Sequence, residues 1–141
     1  MKRDAGAFVL VDGDDVGEKI DALIVRGDVG GLKGFTREID QAVARVAAIA
    51  READGEVHMA GGDNVLARVP DADAFVEAVA RARESFCCTF SIGVGATARE
   101  SQAALKAAKE TAPGAIVRSG RTDGKTQFRR RSVKGTWVAL A

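Results

Sequence analysis

The run Ala7-Phe8-Val9-Leu10-Val11 is apolar at consecutive positions, which predicts a strand covered on both faces, and it stops at Asp12-Gly13-Asp14-Asp15. Val16, Ile20 and Leu23 then recur at helical spacing, so a short helix starts at Asp14 or Asp15, either of which can cap it. Arg26 to Gly34 contains four glycines and reads as a flexible connection rather than element interior. Thr36 to Glu52 is an amphipathic helix with Ile39, Val43, Val46, Ala47 and Ala50 on one face. Glu56–Met59 and Val65–Val69 are two strands joined through Ala60-Gly61-Gly62-Asp63-Asn64, a tight hairpin whose glycines supply positive φ or close approach.

Pro70-Asp71-Ala72-Asp73 opens a further helix whose apolar face is Phe75, Val76, Val79 and Ala80. Cys87 to Gly95 reads as a strand, and Thr97-Ala98-Arg99-Glu100 is a capping box leading into a helix from Ser101 to Thr111, which Pro113-Gly114 ends. Ala115-Ile116-Val117 is an additional strand, paired with Thr136–Leu140 through a loop around Arg121-Thr122-Asp123-Gly124. The order βααββαβα predicts an α+β, ferredoxin-like domain: an antiparallel-rich sheet with helices on one side and an extra C-terminal β-hairpin.

With 141 residues, the chain is expected to be one domain: a core over about 7–117 and a basic extension over 118–141. Hydrophobic residues make up 46% and charged residues 29%, which excludes a disordered chain. The apolar runs are too short to cross a bilayer, and Met1-Lys2-Arg3-Asp4 does not open a signal peptide, so a cytoplasmic location is expected. Cys87 and Cys88 are adjacent and the only cysteines, hence inert strand residues rather than a disulfide or zinc framework. His58 is the only histidine, which removes histidine pairs and most catalytic triads. Net charge is +1, but Arg118 to Lys134 holds seven basic residues and one acid. That segment is either a solvated edge or a surface for phosphate, nucleic acid or an acidic partner.

Candidate chemistry lies where strands end. Asp63 belongs to the hairpin tip and Asp12 to the end of the first strand, so the two carboxylates can converge on one divalent cation. Mg²⁺ is commonly held by one or two carboxylates plus substrate phosphates, which makes this pair sufficient in kind. The helix start at Asp14, Asp15, Val16 and Gly17 offers free N–H groups to a triphosphate. For Asp14 and Asp15, capping and metal binding are both open readings.

An apolar strand ending in Asp12-Gly13-Asp14-Asp15-Val16-Gly17, two helical segments and the Gly61-Gly62-Asp63-Asn64 hairpin together resemble the Palm domain. This RRM-like domain is shared by GGDEF diguanylate cyclases, class III nucleotide cyclases and CRISPR polymerase subunits. The small size and this spelling look most like the minimal CRISPR polymerases (mCpol), over about residues 7–117. The resemblance implies catalytic Asp12 and Asp63, and Mg²⁺ or Mn²⁺ held by Asp12, Asp63 and the Gly13 carbonyl. It implies phosphate contacts from Gly62, Asn64, Lys106 and Lys109; without it both lysines read as surface charges. Gly27-Asp28 is similar to the connection whose acid meets guanine in diguanylate cyclases, although their second guanine ligand, an Asn, has no counterpart near Ile20. Asn64 stands where those relatives carry Glu or Asp, and the minimal polymerases carry Asn.

The implied activity is nucleotidyl transfer that converts nucleoside triphosphates, ATP foremost, to a cyclic di- or oligonucleotide with release of pyrophosphate. A homodimer is expected, since joining two triphosphates needs two facing sites and one such domain offers one. The basic residues Arg129-Arg130-Arg131 are candidates to line the shared cleft. The resemblance also implies antiviral signalling through an effector that binds the cyclic nucleotide. Competing readings are a GTP cyclohydrolase III-like ring-opening enzyme and an inactive nucleotide sensor. A nucleic-acid-binding protein ranks last, because there is no Tyr, one Trp and 5% aromatic content.

Overall fold

The computed structural model describes residues 6–140, so the reading of Met1–Asp4 lies outside the described residues. The elements in chain order are β1 (Ala7–Gly13), α1 (Val16–Val25), α2 (Val29–Glu52), β2 (Glu56–Gly61), β3 (Asn64–Val69) and α3 (Ala72–Ala82). After a 3-10 turn at Arg83–Ser85 come β4 (Phe90–Gly95), α4 (Ala98–Thr111), β5 (Ile116–Thr122), β6 (Lys125–Arg131) and β7 (Trp137–Ala139). The strands form a seven-stranded sheet in the order β2-β3-β1-β4-β5-β6-β7, in which only β4 and β5 run parallel. This is the predicted α+β, ferredoxin-like core with strands added at its C-terminal edge.

Register sorts the side chains by face. Val9 and Val11 pair across β1 with Val94 and Ile92 of β4 and with Ala67 and Val65 of β3. All are fully buried or nearly so, in one cluster with Val46 and Ala50 of α2 and Phe75, Val76 and Val79 of α3. Each such large apolar side chain contributes about 1.5–3 kcal/mol to folding. Thr97 accepts from the Glu100 N–H at 3.1 Å, and the Glu100 carboxylate reaches back to the Ala96 N–H, closing the cap of α4.

The expectation of helices on one side fails at α4. Alternate strand residues face opposite ways. Ile92 and Val94 face α2 and α3, whereas a Cβ added at Gly93 or Gly95 would strike the backbone of Ser101 and Leu105 or Glu100 in α4. Helix α4 therefore covers the other face, its Ala104 and Ala108 clustering with Ala115 and Val117. Strands β3, β4 and β5 run in the same direction and step the same way across the sheet. With α3 and α4 on opposite faces, their two crossovers have opposite hands.

Three further boundaries move. The glycine-rich segment is not a connection: α2 begins at Val29, and Gly30, Gly31 and Gly34 lie inside it. The Asp28 carboxylate caps this start by accepting from the Gly31 N–H at 2.8 Å, and packing of Leu32 and Phe35 against the core offsets the poor helix propensity of glycine. Cys87 and Cys88 lie in bends, since β4 starts only at Phe90. The Cys88 thiol is pushed up to about 11, by burial first and then by Cys87, which keeps it protonated and inert. At the C-terminal edge β6 comes between β5 and β7, so Trp137–Ala139 pair with Arg129–Arg131 and not with 115–117. The β5–β6 reversal is Asp123-Gly124, both at positive φ (54° and 75°), as a two-residue hairpin favours. Among the described residues, no helix is long and apolar enough to cross a membrane.

Candidate active site

Strand β1 sits between β3 and β4, with Asp12 opposite Asn64 on one side and Ser91 on the other. One residue on, the Gly13 N–H donates to the Asp63 carbonyl at 2.8 Å, tying the strand end to the hairpin tip. A Cβ at Gly13 would come 2.8 Å from Val16 Cγ2 and 3.3 Å from Asp63 Cβ, so the close approach needs glycine there. Of the two hairpin residues, Gly62 alone takes positive φ, 55°. The sequence-predicted carboxylates of Asp12 and Asp63 are thus brought to the same end of the sheet.

Their electrostatics differ. Asp63 is held above the ordinary carboxylate range, by burial first and then by the negative charge of Asp12. The folded chain therefore holds this proton more tightly than the unfolded chain, and its contribution to stability is lost as pH rises through the folded pKa. We expect Asp63→Asn to raise the melting temperature at neutral pH, without divalent ions, by a few degrees in thermal melts. The gain should shrink as pH falls through the raised pKa of the folded carboxyl and be absent once pH is below the ordinary carboxylate value of about 4.

Asp14 corrects the sequence reading: it neither caps a helix nor faces solvent. Its side chain is 6% exposed. Oδ1 accepts from Ser91 Oγ at 2.7 Å and Lys109 Nζ at 2.8 Å, and Oδ2 accepts from Thr89 Oγ1 at 2.6 Å and the Gly114 N–H at 2.7 Å. The four acceptor sites of the carboxylate are all used. Burial pushes the Asp14 pKa up, but donation from Lys109, Thr89, Ser91 and Gly114 outweighs it and holds the group below its ordinary value. Asp14 cannot supply a missing metal ligand without breaking this network. Asp15 occupies the cap position of α1 at φ 59° but makes no side-chain capping bond, and among the described residues no side chain accepts from the N–H groups of Val16 and Gly17 in the first turn.

Lys109 reaches the site from α4. Its Nζ lies 3.0 Å from Asp12 Oδ2 and donates to the Gly13 carbonyl at 2.9 Å. Burial alone would lower its pKa, and the two carboxylates raise it, so it is charged. Lys106, one turn earlier, has no ion-pair or hydrogen-bond partner among the described residues, and Asp28 is occupied in capping α2. Among the basic tail residues, Arg131 is tied to α3 through Glu77 at 2.7 Å and Asp73 at 3.8 Å.

The donor set suits a hard divalent cation. The Asp12 carboxylate and Gly13 carbonyl already converge on one cation, the Lys109 ammonium, and Asp63 stands beside them with its charge disfavoured until a cation arrives. Among the described residues no group of three or more acidic, His or Cys side chains could hold a metal by itself. Beside Asp63 and Gly62 a cleft of about 290 Å³ opens between α1 and α2, lined by Val16, Ile20, Ile39, Thr36 and Asp40. The sequence reading passed over Thr36 and Asp40. Their signal was available: two polar residues four apart on α2, flanking the buried Ile39.

No curated protein matches this chain. A family model described as the minimal CRISPR polymerase domain, mCpol, matches residues 8–119, which run from the second residue of β1 to the middle of β5. With the match spanning most of its length, and with strand-end and hairpin carboxylates meeting at one end of a Palm-like sheet, the chain belongs to the minimal CRISPR polymerase family of polymerase-like nucleotidyltransferases.

Proposed function

We propose that the chain converts nucleoside triphosphates, ATP foremost, to a cyclic di- or oligonucleotide with release of pyrophosphate. The carrying observation is the convergence of Asp12 and the Gly13 carbonyl on one cation beside Asp63. Mg²⁺ or Mn²⁺ held by Asp12, Asp63 and the Gly13 carbonyl would neutralise charge on the phosphates and make a ribose hydroxyl a better nucleophile. The uncapped N–H groups of Val16 and Gly17 and the hairpin at Gly62 and Asn64 receive phosphate oxygens, and Lys109 offsets charge on the leaving pyrophosphate. The apolar walls of Val16, Ile20 and Ile39 take a base, with Thr36 and Asp40 at its polar edge. A ring of two nucleotides needs two such sites, so the active form is a homodimer. Its product would be read by an effector in antiviral signalling.

Asn64, paired with Asp12 where a third carboxylate would complete the cluster, favours a second reading, a sensor that binds nucleotide without turnover. Incubation with each nucleoside triphosphate in Mg²⁺ or Mn²⁺, followed by mass spectrometry, separates the two. A cyclic nucleotide mass with pyrophosphate is expected. Tight binding with intact triphosphate in every tube would select the sensor, and loss of formate from GTP would indicate ring opening.

A further inference from the structure

Lys109 has two kinds of anchor. At the mouth of the site its ammonium lies 3.0 Å from Asp12 Oδ2 and 2.9 Å from the Gly13 carbonyl, two of the oxygens that a divalent cation would need. Beneath, it lies 2.8 Å from Asp14 Oδ1. That lower anchor is fixed, because Thr89, Ser91 and the Gly114 N–H hold both Asp14 oxygens. An ammonium and a divalent ion cannot share the same lone pairs, and at contact distance their repulsion is severe. Charge counting agrees: Asp12, Asp14 and Asp63 against Lys109 leave two negative charges, which one divalent ion neutralises with the lysine retained.

We propose that Lys109 is an exchangeable internal occupant of the cation site. A divalent ion displaces its ammonium from Asp12 and Gly13, and Asp14 is a positioning residue that keeps the released lysine within reach of the phosphates. The inference rests on the nucleotidyltransferase reading of the same carboxylates. It explains why a carboxylate two residues from Asp12 is buried under four donors instead of facing the ligand.

The test is Mn²⁺ binding to the whole chain without nucleotide, read by electron paramagnetic resonance. Removing the competing charge in Lys109→Met should tighten the dissociation constant about tenfold. Lys106→Met, with the same charge change but no contact to Asp12, should change it far less. Loss of Lys109 leaves Asp14 charged with only neutral donors, so a second comparison guards against misfolding: Asp14→Asn/Lys109→Met should bind more tightly than Asp14→Asn alone. Unchanged or weaker affinity on removing Lys109 in both backgrounds, with binding abolished in Asp12→Ala, overturns the proposal and leaves the cation site standing. Wild-type affinity in Asp12→Ala removes the cation site itself, and the proposal with it.

Discussion

Asp63→Ala and Asp12→Ala are each expected to lower formation of the proposed cyclic product by about a thousandfold or more, because each would remove charge-binding oxygen at the position where the phosphates are to be neutralised. The loss is catalytic and not structural for Asp63. Its carboxylate is disfavoured in the folded chain by burial and by Asp12, so removing it relieves a strain on the fold. Thermal melts run beside the mass-spectrometric assay therefore show Asp63→Ala at or above wild-type stability while product disappears. Mixing Asp12→Ala chains with Asp63→Ala chains restores nothing, since the Asp63 carbonyl and the residue after Asp12 are hydrogen-bonded within one chain and serve one site. Full activity in either single variant would refute the nucleotidyltransferase reading, and recovery on mixing would mean that the carboxylates act across two chains.

Gly93→Val unfolds the chain under conditions where the wild type is folded. A Cβ at this position would lie 2.7 Å from Leu105 Cα and nearer still to Leu105 N and Ser101 O, all backbone atoms of α4 that cannot turn aside. Overpacking of this kind costs about 3 kcal/mol or more, out of a total stability of roughly 5–15 kcal/mol. The contrast is Gly34→Ala within α2, where an added Cβ meets nothing within 4 Å. There the methyl group stabilises the helix by about 0.5–1 kcal/mol. Urea denaturation reads both; equal midpoints for the two variants would mean that α4 does not approach β4 as closely as described.

The carboxylate pair was legible in the sequence because both signals are local. An apolar run that ends in Asp-Gly announces a strand end, and Gly-Gly-Asp between strand-like runs announces a reversal. Asp14 was not legible, because Thr89, Ser91, Lys109 and Gly114 are 75 to 100 residues away along the chain. No periodicity encodes a contact of that range. The start of α2 was misread for a different reason: four glycines argue against a helix, and the Asp28 cap with the packing of Leu32 and Phe35 overrides them. The face taken by α4 did leave a trace. Gly93 and Gly95 alternate with Ile92 and Val94, a small and large rhythm that marks where another backbone lies against the strand. The pairing of β7 had no such trace, since both β5 and β6 offer polar, β-compatible edges.

The opposite hands of the α3 and α4 crossovers bear on mechanics as well as topology. The cleft beside Asp63 belongs to the layer built from α1 and α2, and Lys109 arrives from the layer on the reverse of the sheet. At this rim the ion pairs of Lys109 with Asp12 and Asp14 tie α4 to the end of β1. A nucleotide seated with its base in the cleft and its phosphates against Lys109 would work as a rivet through the rim of the sheet, joining at one edge two slabs already packed on its opposite faces.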